Sequence, residues 1–241
     1  RDTESLEEGV DRLLADVSAA LRAIKPDILI EFRQTYFGPA VRKYGNMFRV
    51  ADCPDDPILN RVHGVDLRFL LGKVPVHSDM LMWNLQDSPE AVAYQMITVL
   101  PTVPQISVLL DKIPERQRAV LSFWLSFWQM HRDTLLAGDL QADHPEALYS
   151  QVRMTTEAER IVIAYTDPMV SLPESGSLYV CNATGAKTVC LTTDRAPQTY
   201  HIRDCMGSVV EERTVPLQRG GTLFSVPRCG LLELTPCTIS G

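Results

Sequence analysis

Three short apolar runs near the start of the chain are each followed by side chains able to move protons or hold hydroxyl groups. Glu31, Arg33 and Gln34 come after residues 28–30, Asp52 after residues 47–51, and His77, Ser78 and Asp79 after residues 74–76, with Trp83 close behind. A fourth run, residues 105–108, adds little beyond its own Gln105 and Ser107. Carboxylates gathered on one rim suit glycoside hydrolysis, where one protonates the leaving oxygen and another acts as nucleophile or base. An aromatic residue such as Trp83 offers a flat apolar face to a sugar ring. Plainer roles fit some of the same residues. Glu31 also suits an ion pair with Arg33 or Arg49, and Asp55 and Asp56 precede Pro57, as helix-capping residues do. His77 and Asp79 have a spacing that a metal accepts, but two ligands without a third do not make a metal site.

The elements that must position these residues alternate up to about residue 148. A first helix carries Leu6, Val10, Leu13, Leu14, Val17, Leu21 and Ile24 on one face, with Ser5 and Glu8 at capping-box spacing. Lys25-Pro26-Asp27 breaks it, and Ile28-Leu29-Ile30 reads as a strand buried on both faces. Residues 47–51, 74–76 and 105–108 read as further strands. Helices follow from Pro57 to about Gly72, from Pro89 through Leu100, and from Pro114 to Gly138. This alternation predicts parallel strands with helices outside. A complete (β/α)8 barrel takes about 250 residues, so four strands predict an incomplete one. The chain also begins at Arg1 rather than at a methionine, and the expectation is that a preceding segment belongs to it.

Beyond residue 150 the period becomes two. Residues 161–165, 177–181, 188–192, 199–202, 222–226 and 230–234 read as strands, punctuated by Gly176, Gly185, Gly207 and Gly220-Gly221. Short strands between such turns predict an antiparallel β-sandwich. The expected fold class is α/β: residues 1–148 form an incomplete (β/α)8 TIM-type barrel, which resemblance to a known family makes the C-terminal half, and residues 149–241 form a β-sandwich domain.

Bulk properties narrow the partners. A net charge of −7 argues against nucleic acid, whose phosphates call for a basic face. No apolar run has the length of a membrane span, so no membrane partner is expected. Cys53, Cys181, Cys190, Cys205, Cys229 and Cys237 form no CxxC pair, which argues against a zinc or redox motif. They read as buried or free thiols of a reducing compartment, with a few disulfides as the other reading. The expected location is a bacterial cytoplasm. The sequon Asn182-Ala183-Thr184 matters only in a secreted eukaryotic protein. A homo-oligomer is compatible with the chain.

Several segments resemble glycoside hydrolase family thirty-six, the α-galactosidases (melibiases) and their relatives. They are residues 26–31, 44–52, 60–61, 66–68, 77–81, 103–105, 123–124, 131–133 and 144–149. The resemblance covers about residues 25–149 and implies a retaining α-glycosidase that needs no metal or organic cofactor. It implies that Asp52, after the sixth barrel strand, is the catalytic acid/base. The family's nucleophile, an aspartate of a Lys-x-Asp motif on the fourth strand, is then expected upstream of Arg1, in the missing half of the barrel. Glu31, Arg33, Arg49, His77, Asp79 and Trp83 are the expected sugar-binding residues. Many members carry a Cys-Ser-Gly-Gly-like loop where this chain has Glu31-Phe32-Arg33-Gln34-Thr35-Tyr36, a difference that must alter the sugar pocket. A transglycosylase of the same family, or a non-catalytic carbohydrate-binding or structural piece, are the alternatives.

Overall fold

The structure, a computed structural model, describes residues 4–33, 38–173, 175–192, 198–215, 217 and 220–236. Its first part alternates helices and strands: α1 Leu6–Ile24, β1 Glu31–Arg33, β2 Met47–Arg49, α2 Pro57–Leu71, β3 Val76–Leu81, α3 Pro89–Thr98, β4 Val103–Ile106, α4 Glu115–Met130 and α5 Arg132–Ala137. Strands β1 to β4 form one parallel sheet in chain order.

Local chemistry sets these boundaries. The Ser5 hydroxyl accepts the Glu8 N–H at the start of α1. Asp56 caps α2 by accepting from the N–H groups of Ile58 and Leu59, and Pro57 fills the first helical position. Gly72 ends α2 at a φ of +68°, where a side chain is strained. Ser88 caps α3.

Two strands lie elsewhere than the sequence pattern suggests. Residues 28–30 are not a strand, and Leu29 is 69% exposed rather than buried. The Asn46 side chain captures their backbone, accepting from the Ile30 N–H and donating to the Ile28 carbonyl. The strand comes later, at Glu31–Arg33, and among the described residues it pairs with β2 alone. The third strand starts where the apolar run ends, so His77, Ser78 and Asp79 lie inside β3. An irregularity in register between His77 and Met80 turns both Ser78 and Asp79 inward.

The second part adds β5 Asp139–Asp143, β6 Gln151–Thr155, β7 Glu159–Ala164, β8 Met169–Ser171, β9 Ser177–Asn182, β10 Val189–Thr192, β11 Gln198–Arg203, β12 Val209–Val215, β13 Thr222–Phe224 and β14 Leu231–Pro236. These make a seven-stranded sheet, β12-β11-β14-β9-β7-β6-β5, and a three-stranded sheet, β13-β10-β8. Both sheets are mixed rather than purely antiparallel, because β7 runs parallel to β9 and β8 parallel to β10.

The large sheet has an apolar layer on each face, and the alternation along β7 shows how. Val162 packs with Val189, Leu191 and Phe224 of the small sheet. Its neighbours Ile161 and Ile163 pack with Val120, Trp124 and Phe127 of α4. Cys53, Cys181, Cys190, Cys205 and Cys229 are free thiols; Cys237 lies outside the described residues. No helix among the described residues is long and apolar enough to cross a membrane.

Candidate active site

Parallel registry lines up three polar residues across the first sheet. Arg33 on β1 is paired with Arg49 on β2, and Arg49 with His77 on β3. Residues in register share a face, so these three stand together, with Glu31 two residues before Arg33. Phe32, Phe48 and Val76 take the alternate positions and belong to the apolar cluster containing Leu67 and Leu71 of α2. The polar row thus lies on the side of the sheet away from α2.

Asp52 follows β2 by three residues and closes this row. Arg33 Nη2 donates to its two carboxylate oxygens at 2.9 and 3.1 Å, and Arg49 Nη2 donates to Oδ1 at 2.7 Å. Asp52 stays 53% exposed while Arg49 is buried. Behind Arg49 lies Asp79, with no exposed surface. Its Oδ1 accepts from Arg49 Nη1 at 2.9 Å and its Oδ2 from the Cys53 N–H at 2.5 Å. The four residues form a chain from surface to interior: Arg33, Asp52, Arg49, Asp79. A buried charge requires such a partner, because desolvation otherwise outweighs what burial returns.

Further polar groups brace this chain. Asn60 on α2 accepts the Asp79 N–H at 3.0 Å and donates to the Asp79 carbonyl at 3.3 Å. The Ser78 hydroxyl accepts the Gln105 N–H at 3.0 Å, and the Gln105 side chain lies 3.1 Å from His77 Nδ1. Burial pulls the His77 imidazole below its ordinary range, and the Glu31 carboxylate pulls it partly back. Burial, helped by the carboxylates of Asp79, Asp56 and Asp52, pushes the Cys53 thiol up to about 12. Cys53 is therefore a neutral thiol here, unsuited to act as a nucleophile.

The structure brings together Glu31, Arg33, Arg49, Asp52, His77 and Asp79. It separates Trp83 from them. That indole is buried in the core beside α3 and α4, and its N–H donates to Gln117 Oε1 at 3.0 Å, so its faces pack on protein instead of standing at a rim. Asp79, read as a ligand for sugar hydroxyls, instead has both carboxylate oxygens engaged within the protein. Gln34 lies outside the described residues. Asp56 is the cap of α2, while Asp55 accepts from the Gln95 side chain at 3.2 Å. Among the described residues no group of three or more His, Cys, Asp or Glu is arranged to hold a metal ion.

No protein-family model matches the sequence, and no curated protein matches it. Solved structures do match. The chain is similar to a family thirty-six alpha-galactosidase from Geobacillus stearothermophilus, with a TM-score of 0.56 at 13% identity. A doubly substituted form of that enzyme in complex with raffinose gives 0.53 at 13% identity. The match covers 92% of this chain and 30% of the enzyme's in both cases. The galactosidase domain of an alpha-galactosidase-sucrose kinase gives 0.52 at 11% identity, over 91% of this chain and 30% of that one. The chain has a glycosidase-related fold. It spans about 30% of the length of each of these structures.

Asn60 is the participant that sequence reasoning left without a role. Its signal was there: Asn60, Gly64, Leu67 and Leu71 share one face of α2, and all four are buried. A polar side chain on an otherwise apolar inward face must find a partner, and the β3 backbone is that partner.

Proposed function

We propose that this chain supplies the acid/base side of the active site of a retaining α-glycosidase, acting on a terminal α-linked sugar, with α-galactosides as the first candidates. Asp52 carries the reading. It is a half-exposed carboxylate just beyond a parallel strand, oriented by two arginines, in a chain similar in fold to solved alpha-galactosidases.

In the first step a protonated Asp52 gives its proton to the leaving oxygen while a second carboxylate attacks the anomeric carbon. In the second step Asp52, now the carboxylate, takes a proton from the water that cleaves the glycosyl–enzyme. The ion pairs to Arg33 and Arg49 are those of the carboxylate, the form the second step uses. When Asp52 carries the proton, Arg49 keeps a counter-charge in buried Asp79. Glu31, Arg33 and His77 are the side chains left to meet sugar hydroxyls.

The nucleophile belongs, in this reading, to barrel strands outside these 241 residues. Residues 1–148 would be the C-terminal part of a (β/α)8 barrel, with β5 reaching into the neighbouring sheet, and residues 149–241 a β-sandwich domain. Support comes from α1, whose Leu6, Leu13 and Ile24 are 79%, 61% and 84% exposed, and from β1, which stands at a sheet edge. Both are surfaces that adjoining barrel elements cover.

The test uses 4-nitrophenyl α-D-galactoside with NMR detection of the product anomer. A protein combining this chain with the other barrel strands should release the α-anomer first, and this chain alone should give no turnover. Release of the β-anomer first, or equal turnover by the isolated chain, contradicts the proposal.

A further inference from the structure

A cleft of about 300 Å³ opens between α4 and the large sheet, and none of its lining residues belongs to the Asp52 cluster. Its helix side is aromatic: Phe123 and Phe127, with exposed Met130 at the lip. Its sheet side is a row of polar residues on three neighbouring strands, Tyr179, Glu233 and His201, which are paired in register. Arg203 stands two residues beyond His201 on the same face.

We propose that this cleft binds one neutral sugar residue at a site separate from the candidate active site. A pyranose has an apolar C–H face and a rim of hydroxyls that both donate and accept. The cleft matches both features. Phe127 meets Tyr179 edge to face with ring centroids 5.9 Å apart, and the His131 ring lies 4.4 Å from each, so an aromatic corner is already built. Around it, Arg203 donates and Glu233 accepts.

The charges argue for a neutral occupant, because they are compensated inside the protein. Arg203 Nε lies 3.0 Å from Glu233 Oε2, His131 Nδ1 lies 2.8 Å from Glu159, and His201 Nε2 lies 3.3 Å from Glu212. Among the described residues, Glu233 is contacted only through Oε2, by Arg203 and by His201 Nδ1 at 3.9 Å, which leaves Oε1 to accept from a hydroxyl. The volume is at the low end of the range of about 300–1,000 Å³ for small-molecule sites, so it suits one ring rather than an extended chain.

The walls are also fixed in advance. Gly207, at a φ of +88°, lies against the Phe123 ring so closely that a Cβ would collide with it. The Gly207 carbonyl accepts from Arg203 Nη1 at 3.1 Å. One turn thus sets both the aromatic wall and the cation, and ordering costs little when ligand arrives.

Saturation-transfer NMR with methyl α-D-galactopyranoside and methyl α-D-glucopyranoside tests the proposal on the intact protein. Ser126 lines the cleft from an exposed position on α4, so Ser126→Trp should fill it without disturbing the core. The expected result is saturable binding that persists in Arg33→Ala and falls at least fivefold in Ser126→Trp, while the protein combining this chain with the other barrel strands hydrolyses a small aryl glycoside equally well with and without Ser126→Trp. Met130→Arg, at the 78% exposed lip, gives the same reading if Ser126→Trp fails to fold. Three results overturn the proposal: no saturable sugar binding in Arg33→Ala, undiminished binding in the filled variants, or binding of 4-nitrophenol alone with no sugar.

Discussion

At the scale of single residues, the buried pair Arg49–Asp79 does more for the site than its exposed neighbours suggest. Truncating one member of a buried ion pair leaves the other uncompensated, at a cost of about 3–5 kcal/mol. Asp79→Ala would also leave the Cys53 N–H without its acceptor. We therefore expect a large drop in the urea midpoint alongside any loss of activity, rather than a loss of sugar binding in an intact fold. Unchanged stability would mean that the Arg49–Asp79 contact does not form. His77 makes a second prediction. With its folded-state pKa below the ordinary imidazole value of about 6.5, the unfolded chain gains a proton first on acidification. Its contribution to stability is therefore present above that value and declines as pH falls through it. In an NMR titration, Glu31→Gln should move the His77 midpoint further down, since it removes the charge that pulls it up. An upward move would break the assignment of Glu31 as its neighbour.

At the scale of elements, caps and helices were legible because their signals are local. Ser5, Pro57 and Gly72 mark real helix ends, and Asp56 caps α2 with two hydrogen bonds. Asp56→Ala should cost about 1 kcal/mol, seen as a lower thermal midpoint, with Asp56→Asn near wild type. An equal loss in both would assign Asp56 a role other than capping. Strands were less legible. The run Ile28-Leu29-Ile30 has every local mark of a strand, but Asn46, sixteen residues from Ile30, takes its hydrogen bonds. β12 escaped because Val209–Val215 carries Glu211, Glu212 and Arg213 at its centre, and its pairing with β11 is set by tertiary contact. The polar row itself was visible as residues near strand ends. That Asp79 turns inward was not, because it depends on an irregularity in β3. That Trp83 is buried was not either, because it depends on Gln117, thirty-four residues away.

At the scale of the whole molecule, the two parts are joined by polar contacts as well as apolar ones. The Arg61 guanidinium on α2 lies 3.9 Å from the centre of the Tyr165 ring, and the Tyr149 hydroxyl donates to Asp66, also on α2. These contacts tie the helix behind the candidate site to the second set of sheets, so the geometry around Asp52 depends on both parts of the chain. The proton assigned to Asp52 decides the proposed function. In the enzyme carrying this chain, Asp52→Ala should slow hydrolysis strongly for a glycoside whose leaving group needs protonation. An activated leaving group such as fluoride departs without that proton, so formation of the glycosyl–enzyme should suffer much less. Azide should then restore turnover of the activated substrate and yield the glycosyl azide, because a small anion attacks without a general base. Equal slowing of both substrates with no effect of azide would contradict the assignment.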